Sequence, residues 1–265
     1  TWDRIWCASG FISALVFGVA VGNVMLGVPF HFEPDTLRPI YEGGFLDLFH
    51  PFALLCGLLS ILLMVMQGAV VLSWKTEGEV ARLATRWARY AGLATALVFV
   101  VGGFYLASAV AGYTMDLSVL TGNEESNPLL SLKAVTVTEG AWMTNYTLTP
   151  WTWVAPVLGV LGALLAVALV GRGRGLMALV MASLSIAGII FTFGFSTYPF
   201  LLPSSTQPNS SLTIFDASAS HLSLWVMLLV ATVFLPLIIT YTSWVYRIMR
   251  GKVTADSINS APHSY

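Results

Sequence analysis

The chain has 265 residues, 57 % hydrophobic and 9 % charged, with a mean hydropathy of +0.80. A soluble domain carries about 25 % charged residues, so most of this chain is suited to lipid rather than water. Its 12 basic and 13 acidic residues nearly cancel, leaving a net charge of -1, and nucleic acid is not the expected partner.

Six segments are long and apolar enough to span a bilayer: residues 5–28, 51–74, 87–111, 151–170, 176–199 and 221–246. The second is the clearest. From Pro51 to Trp74 no residue is charged, and at about 1.5 Å per residue the run makes roughly 36 Å of helix. Pro51 suits a first helical turn, and Trp74 followed by Lys75 suits an interface. The expected fold is therefore an all-α polytopic membrane protein with six transmembrane helices. Its membrane domain covers residues 1–250, and a polar, fraying tail covers residues 251–265. The opening Thr1-Trp2-Asp3-Arg4 lacks a signal peptide's basic and apolar regions, so the chain is expected to be a fragment or a processed product.

Assigning the loops alternately to two sides separates the charges. On one side fall Arg4, Lys75, Arg82, Arg86, Arg89, Arg172, Arg174, Arg247, Arg250 and Lys252, ten of the 12 basic residues. The other side holds only Arg38 and Lys133 among the bases. It carries nine of the 13 acids: Glu33, Asp35, Glu42, Asp47, Asp116, Glu124, Glu125, Glu139 and Asp216. The excess of Lys and Arg marks the cytoplasmic side, so both termini are expected there. The outer stretches 29–47 and 112–150 interleave aromatics with turn residues and are expected to fold back as ordered caps. Gly171-Arg172-Gly173-Arg174-Gly175 is a tight basic hairpin that makes the fourth and fifth helices antiparallel neighbours.

Ionisable groups inside a membrane mark function by default, and no Asp, Glu, Lys or Arg falls in the middle of any span. Arg89 is expected in the first turns of its helix, where it snorkels to the interface. Gln67 is the main polar group approaching the midplane. Cys7 and Cys56 both lie in apolar runs and are read as small core residues rather than as a disulfide or zinc site. Of the histidines, His31 lies in an outer loop, His50 and His221 at outward helix mouths, and His263 in the tail. His50 is the single-residue candidate for a metal or haem ligand, and a set of His31, His50 and His221 with an acid such as Asp47 is the wider alternative. The spacing matches no compact ligand motif, however, and a helix N-terminus disfavours imidazolium. Neutral capping is the expected role of His50, and capping of the last helix is expected of Asp216 with Ser218 and Ser220. Pro236 is expected to kink that helix, and Gly102, Gly103, Gly159 and Gly162 to permit close helix approach.

Several ordered stretches carry a resemblance. They are Leu15-Val16-Phe17-Gly18-Val19-Ala20, Gly22-Asn23, Gly27-Val28-Pro29-Phe30-His31-Phe32, Pro51-Phe52-Ala53-Leu54-Leu55, Gln67-Gly68-Ala69, Ser126-Asn127-Pro128-Leu129 and Gly140-Ala141-Trp142. The strongest run is Tyr198-Pro199-Phe200 through Pro203-Ser204-Ser205, Asn209, Ser211-Leu212-Thr213 and Asp216-Ala217 to Ser220. Along essentially its whole length the chain resembles subunit II of the cytochrome bd quinol oxidases. That subunit has a nine-helix design, and the resemblance implies the last six helices, with the first three and their proton-path acid missing. His50 stands where the family often has asparagine, and Phe215 where tryptophan is common.

The resemblance implies a haem-free structural subunit that carries no catalytic residue itself, in the bacterial cytoplasmic membrane. The complex oxidises quinol and reduces dioxygen to water, with haems b and d in subunit I. In some members subunit II holds a structural quinone, ubiquinone or menaquinone, and a small single-helix subunit is a further partner. The haem types, including those of the cyanide-insensitive branch, stay open. An alternative from another class is one half of a secondary transporter or a small channel. That design places ionisable groups or broken helices at the midplane, and Gln67 with scattered Ser and Thr is all that approaches it here.

Overall fold

The computed structural model describes residues 2–115, 133–248 and 251. Among these residues six helices are long and apolar enough to cross a membrane. They are α1 (Trp2–Leu26), α2 (Pro51–Lys75), α3 (Gly78–Ala109), α5 (Val154–Leu169), α6 (Gly175–Thr197) and α7 (His221–Ile248), with a short α4 (Thr144–Leu148) before α5. Backbone amides in hydrocarbon find no water, so each apolar run closes its own hydrogen bonds as a helix.

Three antiparallel hairpins cap the end of the bundle opposite the arginines. Strand β1 (Phe30–Phe32) pairs with β2 (Pro39–Tyr41), β3 (Ala111–Met115) with β4 (Val135–Glu139), and β5 (Phe200–Leu202) with β6 (Leu212–Thr213). Ordered caps over 29–47 and 112–150 thus appear as hairpins in their described parts. Asp116, Glu124, Glu125 and the Ser126 to Leu129 stretch lie outside the described residues, as do His263 and the tail from Lys252.

One helix differs from its expected extent. Helix α3 starts at Gly78, ahead of Trp87, so Thr76 and Glu77 alone join it to α2. Gly78 has a φ of +69°, a left-handed turn, and the Ala- and Arg-rich run after it favours helix. Arg82 and Arg86 therefore stand on a helix that continues past the apolar span, not in a loop, and Arg89 lies about three turns into that helix rather than in its first turns.

Helices α2, α3, α5 and α6 pack together, with α1 against α2. The core has two parts. At the arginine end it is built from small residues, Ala88, Ala91, Ala163, Ala166, Ala178 and Ala182, around Met66 and Val70. Under the caps it is aromatic, with Phe52, Tyr113, Trp142 and Phe200 around Met25, Leu106 and Val110. Small residues let backbones approach within hydrocarbon, where dispersion replaces the hydrophobic drive. The tightest seam is α5 on α6. A Cβ on Gly188 would lie 2.5 Å from the Gly159 nitrogen, and one on Gly162 would lie 2.8 Å from the Met181 carbonyl oxygen. Ser185 adds a hydrogen bond to the Gly159 carbonyl at 2.6 Å. Gly103 does not serve close approach, because a Cβ there would meet nothing within 4 Å. One residue of rotation points it away from the packed face that Gly102 shares with Leu55.

Helix α7 stands apart. None of its residues is buried, and it continues through Pro236 as one helix.

Candidate functional site

Two features under and within the caps merit a functional reading: a polar clasp and an apolar cavity. The clasp centres on Lys133, which lies just ahead of β4 and whose side chain is 2 % exposed. Its ammonium donates to the Ser211 carbonyl and to Asp216 Oδ2, in contacts shorter than an ordinary hydrogen bond. The second carboxylate oxygen of Asp216 accepts from the Thr213 amide at 2.6 Å and the Thr213 hydroxyl at 2.8 Å. Burial alone would raise the Asp216 pKa. The hydrogen bonds from Lys133 and Thr213, with the charge of Lys133, hold it below the ordinary aspartate value.

Around the clasp the caps are stitched together. The Ser204 amide donates to the Ser211 hydroxyl oxygen at 2.9 Å, and the Ser204 hydroxyl donates to the Phe30 carbonyl. The Val28 amide donates to the Pro203 carbonyl at 2.9 Å, and the Val135 amide to Asn209 Oδ1 at 3.0 Å. Beneath them Trp142 is fully buried, packed edge-on against Phe200, and donates its indole N–H to the Met25 carbonyl at 3.1 Å. The run Tyr198 to Ser220, which carries the strongest part of the sequence resemblance, is thus the tie between the caps.

Asp216 was expected to cap the last helix, and the structure corrects this. Asp216 lies too far upstream of His221 and is committed to Lys133 and Thr213. Ser220 takes the capping place and accepts from the Ser223 amide at 3.4 Å. Lys133 carried no functional expectation, because its partner is distant in the chain.

The cavity has a volume of about 800 Å³ and opens between α1, α2, α3, α5 and α6. Phe17, Leu55, Leu59, Phe104, Val157 and Ile190 give it an apolar wall. Cys56 and Ser60 line it on α2, and at the end nearest α4 it is lined by Ser196, Thr192 and the Tyr146 hydroxyl. That hydroxyl donates to the Thr192 carbonyl at 2.9 Å and accepts from Ser196 at 3.3 Å. Burial pushes the Tyr146 pKa up, while its bonds with Ser196 and Thr192 pull the other way. Of the residues singled out in the sequence, Cys56, Gly102 and Gly103 line this cavity, where they were expected only as core or close-approach residues. Apolar side chains on different helices give no local signal of the space they enclose.

The structure keeps the candidate histidines apart. His50 caps α2: its Nδ1 accepts from the Phe52 amide at 3.3 Å, so that nitrogen carries no proton in this arrangement. His31 faces Glu42 across the first hairpin at 3.1 Å, and His221 opens α7. Among the described residues no group of three or more His, Cys, Asp or Glu side chains stands close enough to hold a metal ion. Gln67 Nε2 donates to Ser183 at 3.0 Å, and its buried Oε1 has no partner.

Residues 1–249 match the family described as cytochrome bd terminal oxidase subunit II. The chain is similar to the cytochrome bd-I ubiquinol oxidase subunit 2 of Escherichia coli K12, with 39 % identity over 99 % of this chain and 68 % of that protein. It is also similar to a probable cytochrome oxidase subunit 2 of Haemophilus influenzae, at 38 % identity over the full chain and 70 % of that protein. Among solved structures, a chain of the bd oxidase from Geobacillus thermodenitrificans shares the fold, with a TM-score of 0.60 and 17 % identity. That likeness covers 91 % of this chain and 62 % of the other, so this chain spans less than two thirds of that neighbour's length. The six-helix fold, the matched tie between the caps and these likenesses agree: the chain is a multi-pass membrane protein and belongs to the cytochrome bd terminal oxidase subunit II family.

Proposed function

We propose that this chain is the haem-free structural subunit of a quinol oxidase complex that oxidises quinol and reduces dioxygen to water. Haems b and d sit in a partner subunit I, which this chain supports, and a small single-helix subunit joins them. The observation that carries the reading is the family match over residues 1–249. An interior without a charged side chain at mid-span fits a supporting role, because electron and proton chemistry needs ligands and titratable groups. In this reading residues 1–250 are the membrane domain, residues 251–265 are a cytoplasmic tail, and both ends lie on the arginine-rich side.

The same reading gives the cavity an occupant, a structural ubiquinone or menaquinone. A volume of about 800 Å³ falls within the range of small-molecule sites. Its apolar wall suits an isoprenoid tail, and the polar end at Tyr146 and Ser196 suits a quinone ring.

The experiment compares the purified complex with and without this chain by reduced-minus-oxidised spectra and quinol-driven oxygen uptake. The expected result is an isolated chain without haem bands, and loss of oxidase activity on its deletion. Solute uptake by the chain alone in liposomes overturns the reading in favour of a transporter. For the quinone, Leu59→Trp fills the cavity and is expected to lower the quinone extracted per complex. Unchanged quinone content removes that part of the proposal.

A further inference from the structure

One face of α3 changes character along its length. Arg82, Arg86 and Arg89 are exposed at spacings of four and three residues, so they share a face. The same face continues through Leu93 (50 % exposed), Leu97 (66 %) and Phe104 (74 %). From Leu93 to Phe104 the apolar part runs roughly 17 Å, the reach of an acyl chain rather than of a single contact.

The head of this stripe is built by a second element. Arg89 Nη2 donates to the Val170 carbonyl at 3.3 Å, where α5 ends. Gly171 has a φ of +80°, and a Cβ there would lie 2.8 Å from Thr85 Cγ2 and 3.3 Å from Arg89 Nη2. The basic turn from Gly171 to Gly175 is therefore seated on α3 through Gly171, with Arg172 and Arg174 exposed within it. The turn also packs on Trp74, whose neighbour Lys75 holds its ammonium 4.6 Å from that ring. Positive charge from α2, α3 and the α5–α6 turn thus gathers at one level, the level at which the apolar stripe begins. Of the nearby acids, Glu79 is engaged by Arg82 at 3.6 Å.

We propose that this stripe holds one anionic phospholipid of the adjoining leaflet, with its phosphate on Arg86 and Arg89 beside the Arg172 turn and one acyl chain along Leu93, Leu97 and Phe104. Guanidinium groups suit the role. Their planar fork matches two phosphate oxygens, and they are more weakly hydrated than ammonium. The continuous apolar stripe selects a lipid over a free anion, because inorganic phosphate gains nothing from Leu93 to Phe104. A juxtamembrane basic cluster also draws anionic lipid by charge, and the built head adds geometry to that attraction.

The test uses the purified complex in phosphatidylcholine nanodiscs doped with phosphatidylglycerol, with retained lipid counted by native mass spectrometry after gentle delipidation. The expected result is one retained phosphatidylglycerol in the unaltered complex, and about thirty-fold weaker retention in Arg86→Gln/Arg89→Gln. Arg86→Lys/Arg89→Lys keeps the charge and the fold but not the fork, and is expected to retain an intermediate amount. Leu93→Ser/Leu97→Ser leaves every charge in place and is expected to lower retention as well. Arg4→Gln/Arg247→Gln changes the net charge equally, away from the stripe, and is expected to leave retention unchanged. Equal loss in that control, unchanged retention in the Gln or Ser variants, or displacement of the lipid by millimolar inorganic phosphate overturns the proposal.

Discussion

Lys133 and Asp216 are separated by 83 residues in the chain, yet their side chains form a direct ion pair, 2 % and 15 % exposed. The pair joins the entry to β4 with the loop that leads into α7, so two cap segments with no helix in common are held to each other. A buried pair of this kind specifies geometry more than it adds net stability, and most of its energetic weight appears when one partner is removed.

Lys133→Met is therefore expected to cost about 3 kcal/mol, the low end for breaking a buried pair because Asp216 keeps some contact with solvent. The double variant Lys133→Met/Asp216→Asn strands no charge and is expected to be more stable than Lys133→Met alone. Thermal denaturation midpoints of the purified complex in detergent check both.

The same pair gives the protein an acid limit. The Asp216 pKa is depressed in the folded state below the ordinary 3.8. Its contribution is thus complete above the unfolded value and is lost as the pH falls through the folded one. Stability of the unaltered protein is expected to decline below about pH 4, and Asp216→Asn to flatten that decline while lowering stability at neutral pH. Denaturation midpoints between pH 7 and pH 3 read the difference.

Glycine substitutions separate the packed α5–α6 seam from an open helix face. Gly188→Ala brings a Cβ to 2.5 Å from the Gly159 backbone and is expected to cost about 1–3 kcal/mol through displacement of α5 against α6. Gly103→Ala meets nothing within 4 Å and is expected to lie within about 0.5 kcal/mol of the parent. A matched pair of melting curves decides.

His50 is tested by what replaces it. Asparagine is a good N-cap, so His50→Asn is expected to leave stability, haem content and oxygen uptake of the complex unchanged, whereas His50→Ala costs about 0.5–2 kcal/mol. Loss of haem in the Asn variant would make His50 a ligand instead.

How much was readable in advance follows from what each feature depends on. The six spans were legible because hydropathy is a property of a contiguous window, and residues from Pro51 to Trp74 declare themselves without reference to any other segment. The start of α3 was misjudged because Arg82 and Arg86 resemble a solvated loop when charge alone is considered, although their spacing with Arg89 already traces a helical face. Asp216 was assigned to the nearest helix, since local capping is the commonest use of an acid at that distance, while its actual partner lies across the fold. Gly102 and Gly103 are indistinguishable by type, and only the rotation between them decides which one meets Leu55. The cavity wall was the least legible feature, because a void is defined by five helices together and by no residue of any one.

The burial pattern of α7 has a mechanical meaning. With none of its residues buried, the azimuth and tilt of that helix are governed by its interfacial residues and its surroundings, whereas α5 and α6 are interlocked at van der Waals limits. The loop anchored at Thr213 and Asp216 then acts as a pivot at one end of a helix whose residues this chain leaves unburied. Rotation of α7 about that pivot requires no repacking of the bundle.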